Sequence, residues 1–163
     1  MRSSQPLHAY WVIIVSYLIA LLLTIWPVPD WAEPFRPAWV VLATAYWCLF
    51  LPHRVGVISA FTVGLLVDTL TGGLLGEHAL ALILVAWIVL RMHLQLRVYP
   101  WWQQAISIVL LMLLYTLIPF WADGVLGYTG STVTRWLPVL TTALLWPWVT
   151  QVLGRLQQRY QVS

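Results

Sequence analysis

The 163-residue chain is 61% hydrophobic and only 8% charged, with a mean hydropathy of +0.84. Soluble domains carry about 25% charged residues, so this composition excludes an ordinary soluble protein. Apolar runs of about 20 residues recur from end to end, which indicates a polytopic membrane protein with one integral membrane domain, residues 1–163. The eight basic residues are all arginine and stand singly at helix ends, as topology signals do, rather than in a nucleic-acid-binding patch.

The pattern predicts an all-α bundle of six transmembrane helices, at about residues 9–26, 38–52, 55–71, 74–92, 102–122 and 136–154. Each intervening segment contains the Pro, Gly or charged residue that would end a helix. The first run is too long for a signal-peptide core and has no small-x-small cleavage site, so it is predicted to be a retained helix. The second span is short and lies between Pro37 and Pro52.

The placement of charges favours six spans with both termini in the cytoplasm. In that topology only Arg36 and Arg135 lie outside, and the cytoplasmic arginines are Arg2, Arg54, Arg91, Arg97, Arg155 and Arg159. Without the second span, Arg54 would lie outside as well. The last four arginines could each gain about 1 kcal/mol from anionic lipid, or they could bind an acidic partner. The twelve tryptophans cluster near both interfaces as aromatic belts do, and a ligand cage is the alternative.

Small residues recur at steps of four around one carboxylate, in the series Gly56, Ala60, Gly64, Asp68, Gly72 and Gly76. The first four form a narrow stripe on the third span, whereas Gly72 is predicted to end that span and Gly76 to lie in a turn. Small residues allow close helix packing, so the stripe is either a contact within the chain or a seam for a partner protein. Val67, on the same span, is expected to face lipid.

Asp68 is a carboxylate inside an apolar stretch, where a charge costs a few kcal/mol. Helix geometry places it about 21 Å along the third span, in the outer third of the membrane. Counting from the turn between the second and third spans predicts an ion pair with Arg36, with Arg135 as the second choice. The alternatives are capping by Thr69 or Thr71, hydration at the interface, and contact with a partner helix.

Residues that could carry chemistry are few. His8, His53 and His93 lie near the inner interface but share no i, i+3 or i+4 spacing that would suit a metal. Glu77-His78 resembles an acid–base pair, yet adjacent helical residues do not face each other. The single Cys48 provides no disulfide framework. The sequence therefore predicts no enzyme activity, no cofactor and no metal site.

The chain resembles the MreD family of bacterial rod shape-determining membrane proteins over the run FRPAWVVLATAYWCLFLPHRVGVISAFTVGLLVDTLTGGLLGEHALA. Its tail, ALLWPWVTQVLGRLQQRY, is similar to the C-terminal end of proteobacterial members. The resemblance is most specific between Arg36 and Gly76. The residues that it marks as structural or partner-contact candidates are Arg36, Pro37, Trp47, Pro52, Arg54, Gly64, Asp68, Gly72 and Gly76.

This resemblance implies a non-enzymatic scaffold in the bacterial cytoplasmic membrane, which couples the cytoskeleton to peptidoglycan synthesis and so controls cell shape. The implied partners are the bitopic protein MreC, the actin-like MreB filament, RodZ, and RodA with a class B penicillin-binding protein, besides membrane lipid. The family is also similar in fold to the six-helix substrate-binding subunits of energy-coupling-factor transporters, an analogy of fold alone. A small-molecule-binding or transporter subunit is therefore the alternative. The spans offer few polar side chains besides Asp68, which argues against a ligand pocket.

Overall fold

The computed structural model describes residues 5–127 and 134–159 of the chain. Within those ranges all regular secondary structure is helical, which confirms the predicted all-α class. The six α-helices are α1 Gln5–Ile25, α2 Trp39–Phe50, α3 Val57–Thr71, α4 Glu77–Val98, α5 Trp101–Leu126 and α6 Leu137–Arg159. Two short 3-10 helices, Glu33–Phe35 and Thr134–Trp136, precede α2 and α6.

Three helices, α4, α5 and α6, end later in the chain than predicted. α4 continues past residue 92 to Val98, because no Pro or Gly interrupts it before Pro100 disfavours helical backbone at Tyr99. α5 ends at Gly127, whose φ of 75° lies in the left-handed region that favours glycine. α6 extends beyond residue 154, since residues 155–159 are good helix formers.

The helices differ in their ability to cross a membrane. By length and composition, α4, α5 and the segment Thr134–Arg159 are long and apolar enough to do so. α2 has 12 residues and α3 has 15, fewer than the roughly 20 that cross a hydrocarbon core as a straight helix. The number of crossings and the side on which the termini lie stay predictions.

Successive helices run in opposite directions, so every connection lies at one of the two ends of the bundle. These two ends differ in charge. The end with the α2–α3 and α4–α5 turns, here called the arginine end, carries Arg54, Arg91, Arg97, Arg155 and Arg159. The opposite or acidic end has the other three connections. It carries all five acidic residues of the chain, Asp30, Glu33, Asp68, Glu77 and Asp123, together with Arg36 and Arg135.

α2 is the central helix of the bundle, although it is the shortest. It packs against α1, α4 and α6, and its residues 40–49 are all buried. The indole of Trp47 is fully buried and donates a hydrogen bond to Ser16 Oγ on α1 at 2.8 Å. The hydroxyl of Tyr46 donates to Gln157 Oε1 on α6 at 2.9 Å. A helix that is hydrophobic on every side is enclosed by protein, which explains why so short an apolar run is stable here.

Candidate functional site at the α3–α4 joint

Asp68 is the one charged residue among the buried residues of the described ranges, with 1% of its surface exposed. It lies near the end of α3, and both of its oxygens contact the first turn of α4. Oδ2 accepts hydrogen bonds from the backbone N–H groups of Gly76 at 2.8 Å and Ala79 at 3.3 Å. Oδ1 accepts from the backbone N–H of His78 at 2.9 Å and lies 2.9 Å from its Nδ1. The carboxylate thus caps the neighbouring helix.

The chain folds this way because two glycines reverse its direction within a few residues. α3 ends at Gly72 with φ 69°, and α4 begins after Gly76 with φ 103°, both in the left-handed region. The first N–H groups of any helix lack acceptors within the helix, and Gly76 has no side chain to supply one. Asp68 supplies the acceptors from the preceding helix, and its negative charge is stabilised by the positive end of the α4 dipole.

The predicted ion pair between Asp68 and Arg36 or Arg135 is wrong. Arg135 pairs with Asp123 across the α5–α6 connection. Within the described ranges, the one ion-pair partner of Asp68 is His78. The prediction counted only side-chain charges, whereas backbone N–H groups at a helix start provide the same compensation without a cation.

The threonine alternative is also wrong. The hydroxyls of Thr69 and Thr71 donate to the carbonyls of Leu66 and Val67 within α3 itself. Asp68 is not hydrated at an exposed interface either, because its side chain is fully buried. The physical reason is the same in both cases: α4 covers this face of α3 and reaches the carboxylate first.

Gly64 brings the two helix backbones into contact one turn before Asp68. A Cβ atom at Gly64 would lie 2.3 Å from Ala79 Cα and 2.8 Å from Ala79 N, well inside van der Waals contact. Ala79 and Ala60 are both fully buried along the same interface. The small-residue stripe therefore packs within the chain at Gly64. Val67, expected to face lipid, is only 3% exposed and belongs to the core, which corrects that expectation.

A polar cleft of about 300 Å³ lies beside this joint, between α4, α5 and the start of α6. Its polar lining comprises Glu77, His78, Tyr115, Thr116, Asp123 and Arg135. The ring of His78 lies 5.8 Å from that of Tyr115. A histidine oriented by a carboxylate supplies two of the three members of a catalytic triad, but the hydrogen bonds of the described residues give its Nε2 no serine or cysteine. In the same ranges no three His, Cys, Asp or Glu side chains form a metal-binding group.

Comparison of the sequence with known proteins identifies the family of the chain. The model for the rod shape-determining protein MreD matches residues 6–156. The chain belongs to the MreD family. It is also 31% identical over 153 residues to the rod shape-determining protein MreD of Haemophilus influenzae, which covers 93% of this chain and 94% of that protein. No solved structure matches the chain. The resemblance inferred from sequence is therefore confirmed. Membership of this family makes the chain a membrane protein with a role in rod shape determination.

The residues singled out by sequence in this MreD chain lie in three separate parts of the fold. Arg36, Pro37, Gly72 and Gly76 lie at the acidic end with Asp68, and Gly64 lies one turn further in. Pro52 and Arg54 occupy the α2–α3 turn at the arginine end, where the guanidinium of Arg54 stacks over the ring of Tyr10 at 5.3 Å. Trp47 belongs to the central core. The structure therefore does not combine the nine candidates into one site.

Sequence reasoning missed the part that Ala79 and His78 play at this MreD joint. One signal could have revealed it. Gly76 precedes an apolar helix without a Ser, Thr, Asp or Asn at the capping position, so an acceptor had to come from another segment. Asp68, eight residues upstream across the α3–α4 turn, was the nearest preceding carboxylate.

Proposed function

We propose that this chain is a non-enzymatic scaffold of the cell-elongation machinery, which holds wall-synthesis enzymes in place relative to the cytoskeleton. The single observation that carries the proposal is the hydrogen bonding of the buried Asp68 carboxylate. A buried ionisable group within a membrane domain usually serves substrate, ion or proton transfer. Here both carboxylate oxygens accept hydrogen bonds from the chain's own α4, so this charge fastens two helices together.

The proposed arrangement is a multi-pass protein of the bacterial cytoplasmic membrane with six crossings and both termini in the cytoplasm. The separation of charges supports it, since the arginine end would then face the cytoplasm as the positive-inside rule requires. The short α2 fits this arrangement because it is enclosed by α1, α4 and α6. Non-helical backbone at membrane depth is tolerated when it is buried in protein.

We propose as partners MreC, MreB, RodZ, RodA and a class B penicillin-binding protein, on the basis of family membership. The large lipid-facing surfaces of α1, α5 and α6 suit helix-to-helix contacts, and the exposed arginines suit an acidic cytoplasmic surface. The test is crosslinking in cells followed by purification of the full chain in detergent. Recovery of MreC- and RodA-type proteins supports the scaffold, and an unrelated membrane protein with the same tag is the control.

A second candidate function is a small-molecule-binding or transporter subunit, and the polar cleft beside the joint favours it. Six polar side chains converge on one cavity there, as in ligand sites. The cleft lies at the helix ends, however, and transporter sites lie near the middle of the membrane. A small molecule that co-purifies with the chain, and is lost in Arg135→Gln but kept in Arg91→Gln, would establish this function. Co-purification of wall-synthesis proteins without such a molecule would reject it.

A further inference from the structure

A groove runs along the side of the bundle between α1 and α6, with α2 as its floor. It consists of two adjacent cavities of about 390 Å³ and 280 Å³, which share the lining residues Ser16, Ile19, Val152 and Leu153. The larger cavity reaches the arginine end at Trp11 and Leu156. The smaller one continues towards the acidic end as far as Leu23 and Trp39. This space is called the α1–α6 groove below.

The wall of the α1–α6 groove between its rim tryptophans offers few hydrogen-bonding groups to an occupant. Its lining is aliphatic and aromatic apart from Ser16. The hydroxyl of Ser16 donates to the carbonyl of Ile13 at 2.7 Å and accepts from the indole of Trp47 at 2.8 Å. An occupant of the groove must therefore be apolar along its length.

The mouth of the groove at the arginine end is positively charged. Arg155 and Arg159 follow Val152 at i+3 and i+7, so they continue the groove-lining face of α6. Helical Cα–Cβ bonds tilt toward the helix N-terminus, which directs these side chains back toward the mouth. Across from them, Arg54 stacks over Tyr10, next to the groove residue Trp11.

Arg155 and Arg159 belong to none of the ion pairs among the described residues. All five acidic residues of the chain lie at the opposite, acidic end. Arginine guanidinium groups bind phosphate oxygens through paired hydrogen bonds, more specifically than lysine does. The mouth is therefore complementary to a phosphate group.

A partner helix fits this groove less well than a flexible hydrocarbon chain does. Helices approach closely in membranes where small residues line the contact, as Gly64 and Ala79 do within this protein. The rims of the groove instead carry bulky exposed side chains, Trp11 and Ile19 on α1 and Trp148 on α6. A flexible acyl chain can follow such an irregular wall.

We propose that the α1–α6 groove is a binding site for one anionic phospholipid, with an acyl chain between α1 and α6 and the phosphate held by Arg155 and Arg159. The lengths agree. The larger cavity extends along α1 from Trp11 to Ile19, about 12 Å, and one leaflet of hydrocarbon is about 15 Å deep. The headgroup then lies at the arginine end and the chain points into the membrane.

The test uses the full chain purified in a neutral detergent, with phosphatidylglycerol or phosphatidylcholine added in a native mass-spectrometry titration. We expect one phosphatidylglycerol to bind, and to bind more tightly than phosphatidylcholine. The double variant Arg155→Gln, Arg159→Gln should bind phosphatidylglycerol about thirtyfold more weakly, since each arginine near a charged lipid surface raises the affinity about fivefold and the two effects multiply. Arg91→Gln, which removes one positive charge outside the groove, is the control and should bind normally.

A second variant tests the groove itself. Ile19→Trp fills the space on an exposed position of α1 and should abolish binding of both lipids while the protein still elutes as a single species. Leu94→Trp, at a position that is also exposed but lies on α4, is the control and should leave binding unchanged. Equal affinity for the two lipids, or unchanged binding in either groove variant, overturns the proposal. So does a photo-reactive residue in place of Val152 that crosslinks a partner protein's helix in native membranes and no lipid.

Discussion

The α3–α4 joint and the α1–α6 flank are two helix pairs of one bundle that are assembled by opposite means. At the joint the backbones touch at Gly64 and Ala79, and a buried carboxylate caps the second helix. At the flank, α1 and α6 both pack on α2 but leave an apolar groove between them. Short connections explain part of the difference, since α3 and α4 are joined by five residues and α1 and α6 lie at opposite ends of the chain.

The two helix pairs differ in how far the chain itself satisfies the groups at their contact. Every polar requirement at the joint is met by the chain itself, so the joint can be rigid before any partner arrives. The flank presents an exposed apolar groove with Arg155 and Arg159 at its mouth, and neither arginine belongs to an ion pair among the described residues. Such a surface is expected to be covered by lipid or by another protein. Substitutions should therefore act strongly at the joint and weakly on the outer surface of the flank.

The largest effect is expected from Gly64→Ala. The added Cβ would lie 2.3 Å from the Ala79 backbone, which cannot move aside as a flexible side chain could. Overpacking usually costs about 1–3 kcal/mol, and we expect a loss of at least about 3 kcal/mol here. Thermal unfolding in detergent measures it.

Gly124→Ala is the matched control for that substitution. Gly124 also lies in a helix, but a Cβ there would have no atom within 4 Å, so the protein should keep or slightly gain stability. Equal behaviour of the two alanine variants would contradict the close contact between α3 and α4.

Asp68→Ala should have the next largest effect, a loss of about 2–4 kcal/mol, because it leaves the N–H groups of Gly76, His78 and Ala79 without their acceptor. Hydrogen exchange should accelerate first at the start of α4. His78→Ala should cost less, since it keeps the backbone donors. Asp30→Asn, on an exposed residue, is the control. If Arg36→Gln destabilised the protein as much as Asp68→Ala, the capping role would be refuted.

A smaller effect is expected where the flank meets the core. Trp47→Phe removes the hydrogen bond to Ser16 and leaves some empty space, for a loss of about 1–2 kcal/mol. The control is Trp148→Phe on the exposed face of α6, which should be neutral. A double-mutant cycle with Ser16→Ala isolates the hydrogen bond, and a coupling energy of zero would show that packing alone holds α1 to α2.

The smallest effect is expected on the outer face of α1. Leu22 is mostly exposed, so Leu22→Ala should change stability by no more than about 0.5 kcal/mol. Its neighbour Leu21 is buried in the core, and Leu21→Ala should cost about 2–5 kcal/mol. Similar losses in both variants, measured by unfolding in detergent, would mean that α1 is enclosed on both faces.

Much of the architecture could be predicted from sequence because it depends on local properties. Apolar runs separated by Pro, Gly and charge indicated the six helices, and Gly72 and Gly76 were correctly assigned to the end of α3 and the turn after it. The family resemblance, carried by the run from Arg36 to Gly76, was also correct. These inferences depend on residue type and spacing along the chain, which the sequence contains.

The partner of Asp68 could not be predicted in the same way. Its charge and its apolar surroundings were evident, and they required compensation of some kind. Only the tertiary structure decided that backbone N–H groups of α4 provide it, because the approach of two helices depends on the angle of the turn between them. The same holds for the central position of α2 and for the groove beside α1. Amino-acid sequence determines which segments are helical and apolar, whereas the faces that meet are decided by how all six helices pack at once.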